Sequence, residues 1–131
     1  MGTNVDAIAR FFEQKMQAHD LVESCSRLPS DDGYYIYSIE RRNGLPRVTV
    51  YVSDAYSYGF ADFASRPAEI GSGDFIVVNQ FGPEIPADVV EHARKAQIGL
   101  GIVGKLMGAL NSREIWKYRS PAEKQASPKA R

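Results

Sequence analysis

Two carboxylates, Asp32 and Asp54, are the residues whose types and placement could support chemistry, although they lie far apart in the sequence. Asn43-Gly44 is a strong signal for a two-residue hairpin turn, because both residues tolerate positive φ. Continuing the pairing from that turn puts Asp54 opposite Gly33 and beside Asp32. Two carboxylates at one place could hold Mg²⁺, which prefers oxygen ligands and assists chemistry on phosphate-bearing substrates.

Structural roles compete with this metal site. Asp54 directly precedes a predicted helix, where an aspartate makes a good N-cap. Asp31 and Asp32 lie in a turn, where aspartate side chains commonly bond to nearby backbone. Pro46 could also lengthen the hairpin turn and shift the register, in which case Asp31 replaces Asp32 at the site.

Three arginines cluster at the predicted hairpin tip and form the one local basic patch of the chain: Arg41, Arg42 and Arg47. Together with the neighbouring tyrosines they could touch phosphates and stack on bases, which predicts a nucleic-acid-binding surface. Aromatic packing on a strand surface is the alternative explanation of the tyrosines.

Two further patterns carry less chemistry. Residues 99–104 match the letters GxGxxG, but a dinucleotide site requires those glycines to follow a strand and open a helix. We expect them instead to let a strand pack closely. The two histidines, His19 and His92, lie on an apolar stripe and on a charged helix face, and form no visible catalytic relay.

Composition bounds the class of protein. The 131 residues suit one domain, and 16 basic residues balance 16 acidic ones, so no global field attracts nucleic acid or an anionic membrane. The single Cys25 excludes an internal disulfide and indicates a buried structural thiol in a reducing compartment. No apolar run approaches the length of a membrane span. We therefore expect a cytoplasmic protein without a membrane partner.

Hydrophobic periodicity predicts the elements that must position these residues. A helix reaches about residue 24, and strands over 34–41 and 47–53 form the hairpin. A helix over 56–65, a doubly buried strand over 74–79, a helix ending near 97 and an apolar strand from residue 100 follow. Residues 105–118 add a strand or a short helix. We expect one domain over 1–118 and a disordered tail over 119–131.

This order of elements resembles the PD-(D/E)xK superfamily of restriction-endonuclease-like, metal-dependent phosphodiesterases. The family has a Pro-Asp-type turn and then, after a hairpin, an acid-x-Lys motif. PSDD at residues 29–32 occupies the first place and DAY at residues 54–56 the second, and the resemblance covers about residues 5–110. It implies a three-layer α/β fold, with a mixed sheet of about four strands flanked by helices, and it implies Mg²⁺ as cofactor.

The chain departs from the family at Tyr56, which stands where the family has its lysine. A neutral phenol, with an ordinary pKa near 10, cannot supply that charge. Lys105 or Lys15 could reach in from another element.

The functional expectation is a nuclease-fold domain that works on or beside nucleic acid, with a degraded or rearranged phosphodiesterase site. Its expected catalytic residues are Asp32, Asp54 and Lys105, and the two aspartates are its expected metal ligands. If the domain is an enzyme, it is a Mg²⁺-dependent nuclease. The alternative is a non-catalytic module that binds a protein partner through its strands or hairpin tip.

Overall fold

A five-stranded mixed sheet forms the centre of the molecule in the computed structural model, which describes residues 4–29, 34–53, 55, 57–79 and 84–125. The strands lie in sequence order and are β1 (Val22–Leu28), β2 (Tyr34–Arg41), β3 (Val48–Ser53), β4 (Phe75–Val77) and β5 (Gly99–Gly101). The helices are α1 (Asn4–Gln17), α2 (Phe60–Ala64), α3 (Ala87–Lys95), α4 (Val103–Ala109) and α5 (Pro121–Gln125), with a 3₁₀ turn at Ile115–Lys117.

The hairpin between β2 and β3 has the predicted turn and register. Asn43 and Gly44 have φ of 61° and 73°, and the N–H of Leu45 donates to the carbonyl of Arg42 at 3.3 Å. Both positive φ values are those of a type I′ turn, whose twist matches that of the strands it joins. The antiparallel ladder continues without a shift to the pair Tyr34 and Ser53. The register prediction is therefore confirmed over the described ladder.

The first helix is shorter than the sequence predicts, and the difference supplies an additional strand. α1 ends at Gln17, and β1 pairs with β2 antiparallel. The His19 ring accepts the Leu21 N–H at 3.1 Å and bonds the Met107 carbonyl at 2.8 Å, which fixes a turn where the apolar stripe appeared to continue. Val22 is buried as predicted, but it belongs to a strand.

The parallel half of the sheet consists of β3, β4 and β5. Four consecutive residues at β4 are buried, Phe75, Ile76, Val77 and Val78, as expected for a strand covered on both faces. A Cβ at Gly99 would lie 2.2 Å from the buried Phe75 ring, which packs directly over this residue, so the packing of Phe75 requires glycine there. The expected close packing is therefore found at Gly99, whereas Gly104 belongs to α4 and a Cβ there would meet nothing within 4 Å.

The apolar stretch after β5 turns into a helix sooner than the sequence predicts. The predicted strand includes Ile102 and Val103, whereas α4 begins at Val103. Val103, Leu106, Ala109 and Leu110 are all buried, and their spacing is that of one helical face. Burial of that face outweighs the poor helix propensity of the two glycines that α4 contains.

Two hydrophobic clusters cover the two faces of the sheet. One joins α1 and α4 to strand residues such as Ile39, Val50 and Val77, and the other joins α2 and α3 to Tyr51, Ile76 and Leu100. The expected α/β architecture of a mixed sheet between helical layers is therefore present, with five strands where about four were predicted.

Two expectations from composition concern Cys25 and membranes. Burial, together with the nearby charge of Glu13, raises the pKa of the half-buried Cys25 thiol to about 11, so its reactive thiolate is scarce at neutral pH. The longest helix has 14 residues, and no helix in the described part of the chain could cross a bilayer.

Candidate functional site

The described residues next in sequence to the predicted acidic site lie at the edge of the sheet where the parallel strands end. Because β3, β4 and β5 run parallel, Ser53, Val77 and Gly101 reach this one edge, and Tyr34 joins them as the partner of Ser53. Asp54 follows Ser53 directly in the chain. Asp31, Asp32, Asp54 and Tyr56 themselves lie outside the described residues, so their proximity stays a prediction.

The N-cap explanation for Asp54 is wrong for the helix that follows it. The helix predicted to start at residue 56 starts at Phe60, and its N-cap residue is Gly59. The N–H of Gly59 donates to the Asp62 carboxylate at 2.9 Å, so Asp62 satisfies the end of α2 from within the helix. Asp54 is therefore not the N-cap of this helix.

Hydroxyl groups fasten the open end of the hairpin to the segment before α2. The Tyr34 and Tyr58 hydroxyls bond to each other at 2.8 Å, and the Ser53 hydroxyl accepts the Ala55 N–H at 3.1 Å. Burial and the bond to Tyr34 raise the pKa of Tyr58, so its phenol stays neutral. The strand end that precedes Asp54 is therefore held in place by packing and hydrogen bonds.

The described residues on their own do not fit a Mg²⁺ centre. Among them, no group of three or more His, Cys, Asp or Glu side chains is arranged around a common point. The hydroxyls of Tyr34, Ser53 and Tyr58 bond within the protein and carry no charge to balance a divalent cation. The Mg²⁺ prediction rests entirely on Asp32 and Asp54.

Lys105, the expected replacement lysine, lies on the outer side of β5. Gly99 and Gly101 bond to the β4 side, so the Leu100 carbonyl faces away from it, and the Lys105 ammonium donates to that carbonyl at 3.0 Å. Adjacent strands are about 4.8 Å apart, which separates β5 from β3 by about 10 Å. The structure does not bring this amine toward the strand that leads into Asp54.

A second contact holds Lys105 in this position. Its ammonium forms an ion pair with Glu123 at 3.1 Å, and its side chain is only 9% exposed. Glu123 also pairs with Arg94 at 3.0 Å and accepts the Ser120 N–H at 2.8 Å. Burial alone would raise the pKa of Glu123, but these donors and cations lower it to about 2. Burial lowers the pKa of Lys105 despite Glu123.

The segment that supplies Glu123 was expected to be disordered. In the structure, residues 119–125 contain α5 and pack on the domain, with Arg119 bound to Glu91 at 2.7 Å. Arg94 also donates to the carbonyls of Trp116 and Tyr118, which fixes the chain leading into α5. Charged side chains perform this docking, so the absence of large apolar residues does not prevent it.

The three arginines predicted at the hairpin tip have different environments. Arg41 is buried, and its guanidinium donates to four backbone carbonyls, those of Pro46, Leu110, Ser112 and Arg113, at 2.7–3.5 Å. Arg42 and Arg47 are exposed. The Arg42 side chain makes one bond, from Nε to the Asp20 carbonyl at 3.2 Å.

Sequence reasoning missed a fourth arginine at this tip. Arg113 is exposed, and it donates to the Gly44 carbonyl of the turn at 3.4 Å. Nothing local in the sequence signals this contact, because 69 residues separate the two. Glu123 was missed for a related reason: its partners Arg94 and Lys105 belong to α3 and α4.

The chain matches no protein-family model, and comparison with curated proteins and with solved structures finds no match either.

Proposed function

We propose that this chain is a restriction-endonuclease-like domain that acts on or beside nucleic acid through a degraded or rearranged phosphodiesterase site. The observation that carries the proposal is the hairpin register, which runs unshifted to Tyr34 and Ser53 at the edge where the parallel strands end. Each of these two residues adjoins an acidic segment of the sequence, with Asp32 on one side and Asp54 on the other.

Two features favour a weakened site over a complete one. Tyr56 takes the place of the lysine that the resemblance implies, and a neutral phenol does not supply a cation. Lys105 is bound to Glu123 and to a strand carbonyl on the outer side of β5. Rapid catalysis through Lys105 would require both contacts to break first.

Asp54→Asn tests the proposal, because it removes the charge and keeps the size of the side chain. We expect Mg²⁺ or Mn²⁺ to raise the melting temperature of the unchanged protein by about 10 °C when the ion is at about 100 times its Kd. The Asn variant should lose most of that rise. Asp20→Asn, at an exposed turn near the other end of the hairpin, is the matched control and should keep the rise.

Cleavage of duplex DNA and single-stranded RNA then separates the two forms of the proposal. Slow metal-dependent cleavage that disappears in Asp54→Asn would indicate a rearranged catalytic site. Metal binding and nucleic-acid binding without cleavage would indicate a degraded one. The proposal fails if neither ion raises the melting temperature and the protein binds neither nucleic acid.

The second candidate function is a non-catalytic module of the same fold that binds a protein partner. The burial of Lys105 favours it, because a charged neighbour near the two aspartates was the feature expected of an enzyme. Binding of a protein partner that survives Asp54→Asn, with no effect of metal on stability, would support this module.

A further inference from the structure

Four arginines from two distant parts of the chain meet at the tip of the β2–β3 hairpin. Arg41, Arg42 and Arg47 come from the hairpin, and Arg113 comes from the segment after α4. None of the four forms an ion pair with a carboxylate of a described residue. The six ion pairs found among the described residues all involve other basic side chains. The guanidinium groups at this tip are therefore not neutralised by a direct ion pair with a described residue.

The buried member of the group fixes the positions of the others. Arg41 bonds the Pro46 carbonyl in the hairpin and the carbonyls of Leu110, Ser112 and Arg113 in the distant segment. Its guanidinium thereby ties the two segments together, and the charge of Arg113 is close enough to contribute to lowering the Arg41 pKa, after burial. The tip is a rigid platform, because both flanking segments share one hydrogen-bonded centre.

The exposed members present free hydrogen-bonding capacity. Arg42 uses one nitrogen on the Asp20 carbonyl, Arg113 uses one on the Gly44 carbonyl, and no side-chain bond involves Arg47 within the described residues. A guanidinium carries five N–H donors in a planar fork that matches phosphate oxygens. We define Arg42, Arg47 and Arg113 as the arginine platform.

We propose that the arginine platform binds the phosphate backbone of a nucleic acid, as a contact separate from the acidic edge. This inference rests on the proposed function only in its choice of nucleic acid as the partner. Charge complementarity supports that choice, and so does the lack of an apolar centre among the described residues of the tip. The exposed large hydrophobic residues, Leu28, Phe60 and Ile102, all lie on other elements, whereas protein interfaces centre on buried apolar anchors.

The arginine platform and the pair Tyr34–Ser53, which adjoins the predicted aspartates in sequence, lie at opposite ends of the same hairpin. Tyr34 and Arg41, the first and last residues of β2, are seven residue steps apart, which is about 23 Å of strand. Contacts to phosphate position a protein on a nucleic acid without reading its sequence. The platform would thus add affinity and orientation, and changes at either end can be measured independently of the other.

The experiment measures binding of a labelled duplex DNA and a labelled single-stranded RNA as a function of salt concentration. Three phosphate contacts on duplex DNA predict a log–log slope of about −2.7, which is a loss of about 40-fold between about 50 mM and 200 mM salt. Arg42→Ala, Arg47→Ala and Arg113→Ala should each reduce the slope by about 0.9. Lys117→Ala is the matched control, because that exposed lysine already pairs with Glu114.

A measurement on the unchanged protein guards against misfolded variants. Addition of the duplex should shift the NMR amide signals of Asn43 and Gly44 and leave those of Leu28, on β1, unchanged. Unchanged slopes in all three arginine variants would overturn the platform even if the protein binds nucleic acid elsewhere. Binding of poly-glutamate but not of nucleic acid would overturn it in favour of an acidic protein partner.

The outcomes also separate this inference from the proposed function. Nucleic-acid binding that depends on the platform, with no metal effect through Asp54, would retain the platform and remove the metal site. A metal effect that depends on Asp54, with no change in binding in the arginine variants, would retain the metal site and remove the platform.

Discussion

Arg41 was predicted to lie on the surface but is buried in the structure. Its position beside Arg42 at the predicted hairpin tip indicates a surface patch, but its side chain is only 5% exposed and donates to four carbonyls. Arg41 is the last residue of β2 and shares the buried face of Tyr37 and Ile39, whereas Arg42 lies beyond the end of the strand. The nucleic-acid-binding role of Arg41 stays a prediction. Its hydrogen bonds indicate that it holds together the two segments that carry the exposed arginines.

Removal of Arg41 should cost more stability than removal of its exposed neighbour. Arg41→Ala leaves carbonyls of Leu110 and Ser112 without a donor, which predicts a loss of about 2–4 kcal/mol in the free energy of unfolding. Arg41→Lys should recover little of this loss, because an ammonium lacks the planar fork that spans several carbonyls. Urea denaturation provides the measurement.

Arg42→Ala is the control for this change. An exposed arginine with one backbone bond should alter the unfolding free energy by no more than about 0.5 kcal/mol. Equal losses for Arg41→Ala and Arg42→Ala would contradict the structural role assigned to the buried guanidinium.

The elements that the sequence predicts correctly are those with a strong local signal. The Asn-Gly turn requires positive φ at two adjacent residues, and the run over Phe75–Val77 has no polar position, so few alternatives compete. β1 escaped notice because most of its residues are exposed and polar, which gives an edge strand no clear alternation. α5 escaped notice because distant charges hold it.

α5 should make the molecule sensitive to acid. The Glu123 pKa is about 2, below the ordinary value of about 4.3. The folded state therefore stabilises the ionised carboxylate of Glu123, whereas the unfolded state does not. The resulting stability is present above about pH 5 and is lost as pH falls toward 2. It is about 2–3 kcal/mol before the desolvation cost of Lys105, which offsets part of it.

Glu123→Gln tests this dependence. The variant should be less stable than the unchanged protein at pH 7 and should lose less stability between pH 5 and pH 2, as measured by urea denaturation at several pH values. Glu114→Gln is the control, because Glu114 pairs with Lys117 on the surface and should contribute less than about 1 kcal/mol. Parallel pH profiles for the Glu123 variant and the unchanged protein would contradict the assigned role.

At the scale of the whole molecule, the central sheet couples its two hydrophobic faces. Ile76 and Val77 are adjacent in β4, and their side chains enter opposite clusters. The arginines of the hairpin lie near one end of this sheet, and Tyr34 and Ser53, the described residues nearest in sequence to the predicted aspartates, lie at the other. The fold class was predictable because the hydrophobic pattern of the sequence shows which faces of the helices and strands are buried. The arrangement at the two ends of the sheet was not, because it depends on contacts between residues distant in the chain.

This arrangement predicts that the domain unfolds in one cooperative step. Ile76→Ala removes buried volume on the α2 and α3 face and should cost about 2–5 kcal/mol. Trp116, the single tryptophan, packs against the opposite cluster and reports on that face by fluorescence. Because β4 contributes to both clusters, the fluorescence midpoint in urea should fall as far as the midpoint measured by circular dichroism. A Trp116 transition that stays at its original midpoint while circular dichroism shifts would show that the two faces unfold separately.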